Sequence, residues 1–111
     1  MTISVSFQAV KGITNLSLAG RLLGNEELEM VVKEVEDNFA GQENVKLIID
    51  LSRVEYTGSQ GISMLVALSR KYRIKLAAPQ PSVRNTLNLL NINKILEIYE
   101  TLDEAIKGFT G

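Results

Sequence analysis

Val45-Lys46-Leu47-Ile48-Ile49-Asp50-Leu51 is a nearly continuous apolar run rich in β-branched residues. A strand with one wet face alternates apolar and polar residues, whereas a run without a polar face needs cover on both sides. The stretch therefore reads as the central strand of a sheet. Leu47 and Ile48 should both be buried although their side chains point to opposite faces.

Toward the N-terminus, Ile3, Val5 and Phe7 alternate with Ser4, Ser6 and Gln8. Thr14, Leu16 and Leu18 repeat the pattern after Lys11-Gly12, which predicts a tight antiparallel hairpin. Gly24-Asn25 breaks the alternation, and Leu28, Val31, Val32, Val35 and Phe39 follow at helical spacing. Asn25 is placed to cap that helix, Gly41 falls just past its end, and Glu29 and Lys33 stand four apart on its wet side.

Toward the C-terminus, a turn over residues 52–58 should feed a helix over 59–72, with Ile62, Leu65, Val66 and Ser69 on one face. Arg70, Lys71 and Arg73 cluster where it ends, the ordinary complement of a helix dipole. A short strand is expected over 74–78. Pro81 opens a helix carrying Val83, Leu87 and Leu90, Asn91 and Asn93 mark a turn, and 95–99 return as a strand. Thr101-Leu102-Asp103-Glu104 is a capping box ahead of Ala105, Ile106 and Phe109.

The order is ββαβαβαβα, and helices between successive strands imply parallel, right-handed crossovers. The expected fold is a single α/β domain over residues 1–111: a mixed, mostly parallel sheet of about five strands with an N-terminal antiparallel hairpin, covered by about four helices.

Hydrophobic residues make up 45% of the 111 and charged residues 23%, enough to build one core without staples. With 12 basic and 13 acidic side chains there is almost no net field, which argues against nonspecific nucleic-acid binding. The chain holds no Cys and no His, so thiolate or imidazole metal sites, a Cys nucleophile and a Ser-His-Asp triad are all ruled out within it. Residues 1–7 alternate and carry no basic leader pattern, and the uncharged residues 57–69 are too few to span a bilayer. A cytoplasmic protein without membrane contact is the expectation.

Residues 50–62 leave the C-terminal end of the central strand and enter a helix, the place where α/β folds put function. Within them, Gly58-Ser59-Gln60-Gly61 sets a hydroxyl at a helix start, where unpaired N–H groups and the dipole favour negative charge. On local residues alone, the plainer reading comes first: Ser59 caps the helix, where Ser is commonplace, and the two glycines form the turn. A nucleotide-binding loop fits less well, because neither G-x-x-x-x-G-K-[ST] nor G-x-G-x-x-G occurs.

Asp50-Leu51-Ser52-Arg53-Val54-Glu55-Tyr56-Thr57-Gly58-Ser59-Gln60-Gly61-Ile62 resembles, without insertion, the D-L-S-x-V-x-F-[ML]-D-S-[ST]-G-L signature of the anti-sigma factor antagonists, the family that defines the STAS domain. Leu18-Ala19-Gly20-Arg21-Leu22 is similar to its L-x-G-x-L segment, and Pro81-Ser82-Val83-Arg84 to its P-x-V-R helix start. The resemblance implies a partner-switching regulator of transcription. Ser59 would be the residue phosphorylated by an anti-sigma factor serine kinase, and a serine phosphatase would reverse it. The unphosphorylated form would bind the kinase and free the sigma factor.

The surface implied comprises Leu23, Tyr56, Thr57, Gly58, Ser59, Gln60 and Gly61, with no catalytic residue, cofactor or metal. Two acids of the family pattern are replaced, by Gly58 before the phosphoacceptor and by Leu23 after L-x-G-x-L, which makes the local field less negative. Gln60 stands for the second hydroxyl residue and leaves Ser59 as the one acceptor in the turn. A STAS scaffold or ligand-sensing module without phosphorylation is the alternative, and a small nucleotide-binding protein a third.

Overall fold

The computed structural model describes residues 4–10, 12–23 and 25–110. Ile3, Lys11 and Gly24, which enter the expected first strand, hairpin turn and helix start, lie outside the described residues. The elements are β1 (Ser4–Val10), β2 (Ile13–Leu22), α1 (Asn25–Asn38), β3 (Lys46–Thr57), α2 (Ser59–Ser69), β4 (Arg73–Ala77), α3 (Pro81–Leu89), a short 3-10 turn (Ile92–Lys94), β5 (Glu97–Tyr99) and α4 (Leu102–Thr110). The sheet has five strands in the order β1-β2-β3-β4-β5. β1 and β2 are antiparallel, and every later pairing is parallel.

The apolar run is central, as its pattern demands. Leu47, Ile48 and Ile49 are all fully buried. Leu16, Leu18, Leu47, Ile49 and Leu51 share a core with Leu28, Val31 and Val35 of α1, Ile62 and Leu65 of α2, and Val83 and Leu87 of α3. Ile13, Ile48 and Ala77 point the other way and pack with Ala105 of α4, flanked by Tyr99, Leu102, Ile106 and Phe109.

Several boundaries differ from the expected ones. The turn expected over 52–58 is strand as far as Thr57, since Arg53, Val54, Tyr56 and Thr57 pair with Ala19, Gly20, Arg21 and Leu22. Two register shifts accommodate this, each with one extra residue in β3, and Gly20 of β2, at φ +112°, stands at the second, in backbone that favours glycine. Asn25 is the first residue of α1 rather than its cap, and α2 stops at Ser69.

β5 shrinks to Glu97–Tyr99 because Ile92–Lys94 form the 3-10 turn, leaving Ile95 exposed. Leu90, placed on the α3 stripe by its spacing, is the C-cap residue and is exposed as well.

The Thr101 half of the capping box forms: the Glu104 N–H donates to Thr101 Oγ1 at 3.1 Å. α4 has only 9 residues and, among the described residues, no other helix joins its apolar cluster, so this bond matters. Thr101→Ala should cost about 1 kcal/mol, read as a melting temperature lower by roughly 4 °C.

Candidate functional site

The connection from β3 to α2 is one residue long. Gly58, with φ −88° and ψ −177°, is the N-cap of α2, and no side chain caps the helix. Ser59 is therefore the first helical residue and does not act as the cap. The Gly58 N–H donates to the Leu22 carbonyl at 3.2 Å, which ties the turn to the end of β2. The Gly58 carbonyl accepts from Ile62 N–H at 3.3 Å and from the Thr57 hydroxyl at 3.2 Å. The N–H groups of Ser59, Gln60 and Gly61 thus remain at a helix start with no acidic residue in its first turn.

The two glycines do different work. A Cβ on Gly58 would meet only Leu23 Cδ2, at 3.7 Å, and its φ suits any residue. On Gly61 a Cβ would lie 2.9 Å from Leu22 Cβ and 3.2 Å from the Leu22 carbonyl oxygen, with Thr57 Oγ1 nearer still. Gly61 lets α2 settle onto the end of β2. Gly58 leaves room for an acid, so Gly58→Asp should fold and, with a side-chain acceptor at the cap, melt no lower than the wild type.

Of the seven residues grouped from the sequence, Ser59, Gln60, Tyr56 and Leu23 are exposed and Gly58 is half-buried. Thr57 and Gly61 are buried, so they shape the turn and offer no surface to a partner. Leu23 and Tyr56, at 43% and 42% exposure, leave apolar surface beside the hydroxyl, and the Arg21 guanidinium lies 5.6 Å from the Tyr56 ring centre.

Two grooves not foreseen from the sequence flank Ser59. One, about 410 Å³, runs along α2 past Ile62, Val66 and Arg70 to Leu90 and Ile92. The other, about 360 Å³, lies between α1 and α2, with Leu28, Val32 and Met64 in its lining. Ser59 lines both. Leu89 and Leu90 are both exposed at the end of α3, and Leu90 forms part of the first groove.

The STAS domain profile matches residues 5–105. The chain belongs to the STAS domain family. Among curated proteins no sequence matches it. Among solved structures, an anti-sigma factor antagonist from Mycobacterium paratuberculosis is 26% identical, with a TM-score of 0.83 over 99% of this chain and 96% of that one. An anti-sigma-factor antagonist (STAS) domain protein from Planctomyces limnophilus is 21% identical, with a TM-score of 0.82 over 96% of this chain and 98% of that one, a likeness of fold. The murine Slc26a9 anion transporter shares the fold at 18% identity and a TM-score of 0.73; there the match covers 89% of this chain and 18% of the transporter.

This STAS domain thus has the fold of anti-sigma factor antagonists along nearly its whole length. In the same fold the G-S-Q-G turn stands at the C-terminal end of the central strand. No helix among its described residues is long and apolar enough to cross a membrane. The described residues also hold no group of three or more acidic side chains arranged for a metal.

Proposed function

We propose that this STAS domain is a cytoplasmic anti-sigma factor antagonist, a binding protein whose unphosphorylated form engages an anti-sigma factor kinase and releases the sigma factor. Phosphorylation of Ser59 by that kinase ends the binding, and a serine phosphatase restores it. The observation that carries the reading is an exposed hydroxyl at the first position of α2, beside exposed Leu23 and Tyr56 and between two grooves.

A phosphate adds roughly 1.5 to 2 negative charges and three acceptor oxygens. At the start of α2 it meets free N–H groups and the positive end of the dipole, so the fold has no reason to change. Against a partner pressed onto the same surface, the charge must lose water without a matching cation, at a cost of several kcal/mol. A swing from about 99% bound to about 99% free takes on the order of 5.5 kcal/mol, a large part of which one phosphate can supply.

The test uses Ser59→Ala as bait in lysate of the source organism to retrieve the kinase. The wild type is then incubated with that kinase, ATP and magnesium. Mass spectrometry should place a single phosphate on Ser59, and the product should no longer bind. Retention of binding after full phosphorylation would refute the switch and favour a scaffold or ligand-sensing role.

A further inference from the structure

The face of the sheet that carries α4 is only partly covered. α4 packs across β3, β4 and β5, and beyond it the register sets polar residues side by side. Ser6 pairs with Ser17 and Ser17 with Asp50, while Gln8 pairs with Asn15 and Asn15 with Ile48. Cross-strand partners point to the same face. Ser6, Gln8, Asn15, Ser17 and Asp50 line a cavity of about 400 Å³, together with Arg53 and, on its apolar side, Leu18 of β2 and Leu102 of α4. It shares no residue with the two grooves at Ser59.

Asn15 is the anomaly in this wall. It is 6% exposed, beside Ile48 in the middle of the sheet, and its side-chain oxygen accepts from no donor among the described residues. A buried amide left so is unfavourable unless something else meets it. Asp50 accepts the Ser52 N–H at 2.9 Å and makes no ion pair among the described residues, nor does Arg53. A half-buried carboxylate and a guanidinium thus face one cavity without being paired to each other. The volume far exceeds one water's share of about 30 Å³ and falls in the lower part of the range for small-molecule sites, roughly 300 to 1,000 Å³.

We infer that this cavity binds a small zwitterion of amino-acid type, its ammonium toward Asp50 and Asn15 and its carboxylate toward Arg53. A dianion is repelled by Asp50, and a simple cation leaves Arg53 unmatched. A neutral polyol satisfies the hydroxyls and leaves both charges unmet. The serines and Gln8 serve either end of the ligand, since hydroxyl and amide groups both donate and accept. The site is independent of the Ser59 reading and survives its failure.

The experiment is an amide NMR titration of the intact chain with each proteinogenic amino acid at millimolar concentration, with glycerol and glucose as neutral controls. At least one amino acid should give saturable shifts at the Asn15 side-chain amide and the Ser17 and Asp50 backbone amides, with the Ser59 signals unmoved. Asp50→Asn and Arg53→Gln should each weaken that binding by more than about tenfold. Asn15→Leu should abolish it while melting no lower than the wild type, because the unpartnered amide is gone. No saturable shift with any amino acid, equal shifts with the polyols, or undiminished binding by Asp50→Asn would overturn the inference. A lower melting temperature for Asn15→Leu would make the amide a structural group and overturn its part.

Discussion

Ser59→Asp should bind the anti-sigma partner about a hundredfold more weakly than Ser59→Ala, a difference of roughly 2.7 kcal/mol, with both proteins fully folded. The alanine form loses a hydroxyl that caps nothing, because Gly58 holds the cap position and Ser59 is already inside α2. Alanine also has the higher helix propensity, so its stability should lie within about 0.5 kcal/mol of the wild type. The aspartate form gains an acid in a first turn that has none, favourable by about 0.3 to 1 kcal/mol. Stability and affinity should therefore move in opposite directions for aspartate. That crossing separates a switch from a structural serine: if Ser59 only supported the fold, binding would follow melting temperature. Aspartate carries one charge and lacks tetrahedral oxygens, so true phosphorylation should exceed its effect. Calorimetric affinity beside thermal melting decides the matter, and equal affinities for the two variants would exclude the phospho-switch at this surface.

Gly61→Ala should destabilise the domain by about 2 kcal/mol net, which lowers the melting temperature by roughly 8 °C. The added methyl has no space: Leu22 Cβ is 2.9 Å away, and the Leu22 carbonyl is backbone held by the Gly58 N–H. Alanine's better helix propensity, worth about 1 kcal/mol, offsets only part of the clash. Gly58→Asp is the control, since its new Cβ meets only Leu23 Cδ2, at the ordinary contact distance of 3.7 Å. That variant should melt no lower than the wild type. The larger consequence of Gly61→Ala is for recognition, because relief of the clash requires α2 to lift away from β2 and carries Ser59 out of line with Leu23 and Tyr56. Thermal melting of both glycine variants, with partner affinity for each, checks the pair of expectations.

Periodicity made most of the fold legible. The apolar run over 45–51 announced a doubly covered strand, and the capping box at Thr101 announced α4 with its bond in place. What pattern could not reveal was set by tertiary pairing. Residues 52–57 contain Ser, Arg and Glu and read as a turn, yet β2 is long enough to hold them in strand once β3 takes up an extra residue at each of two register shifts. Leu90 and Ile95 fit apolar spacing but are left exposed.

At the site, the G-S-Q-G stretch was found from its own residues, while the cap assignment was off by one because Gly58 closes the helix with its backbone. The grooves beside Ser59 and the buried Asn15 depend on residues far apart in sequence. Nothing in the sequence sets Asn15 apart from other polar strand residues, and it is buried where the parallel pairing places it beside Ile48.

The two borders of the sheet are unequal. β5 ends it with three residues, Glu97–Tyr99, and a carboxylate, a rim too short and too charged to recruit another chain. β1 ends it with seven residues, Ser4–Val10, that include no charge and no proline, and among the described residues no strand lies on one side of its backbone. Hydrogen-bonding groups in such a row are a template for strand addition. Concentrated solutions of the protein should accordingly cluster through β1 before any other surface, and a lysine at Ser6 or Gln8, both exposed, is the substitution that keeps the molecules apart.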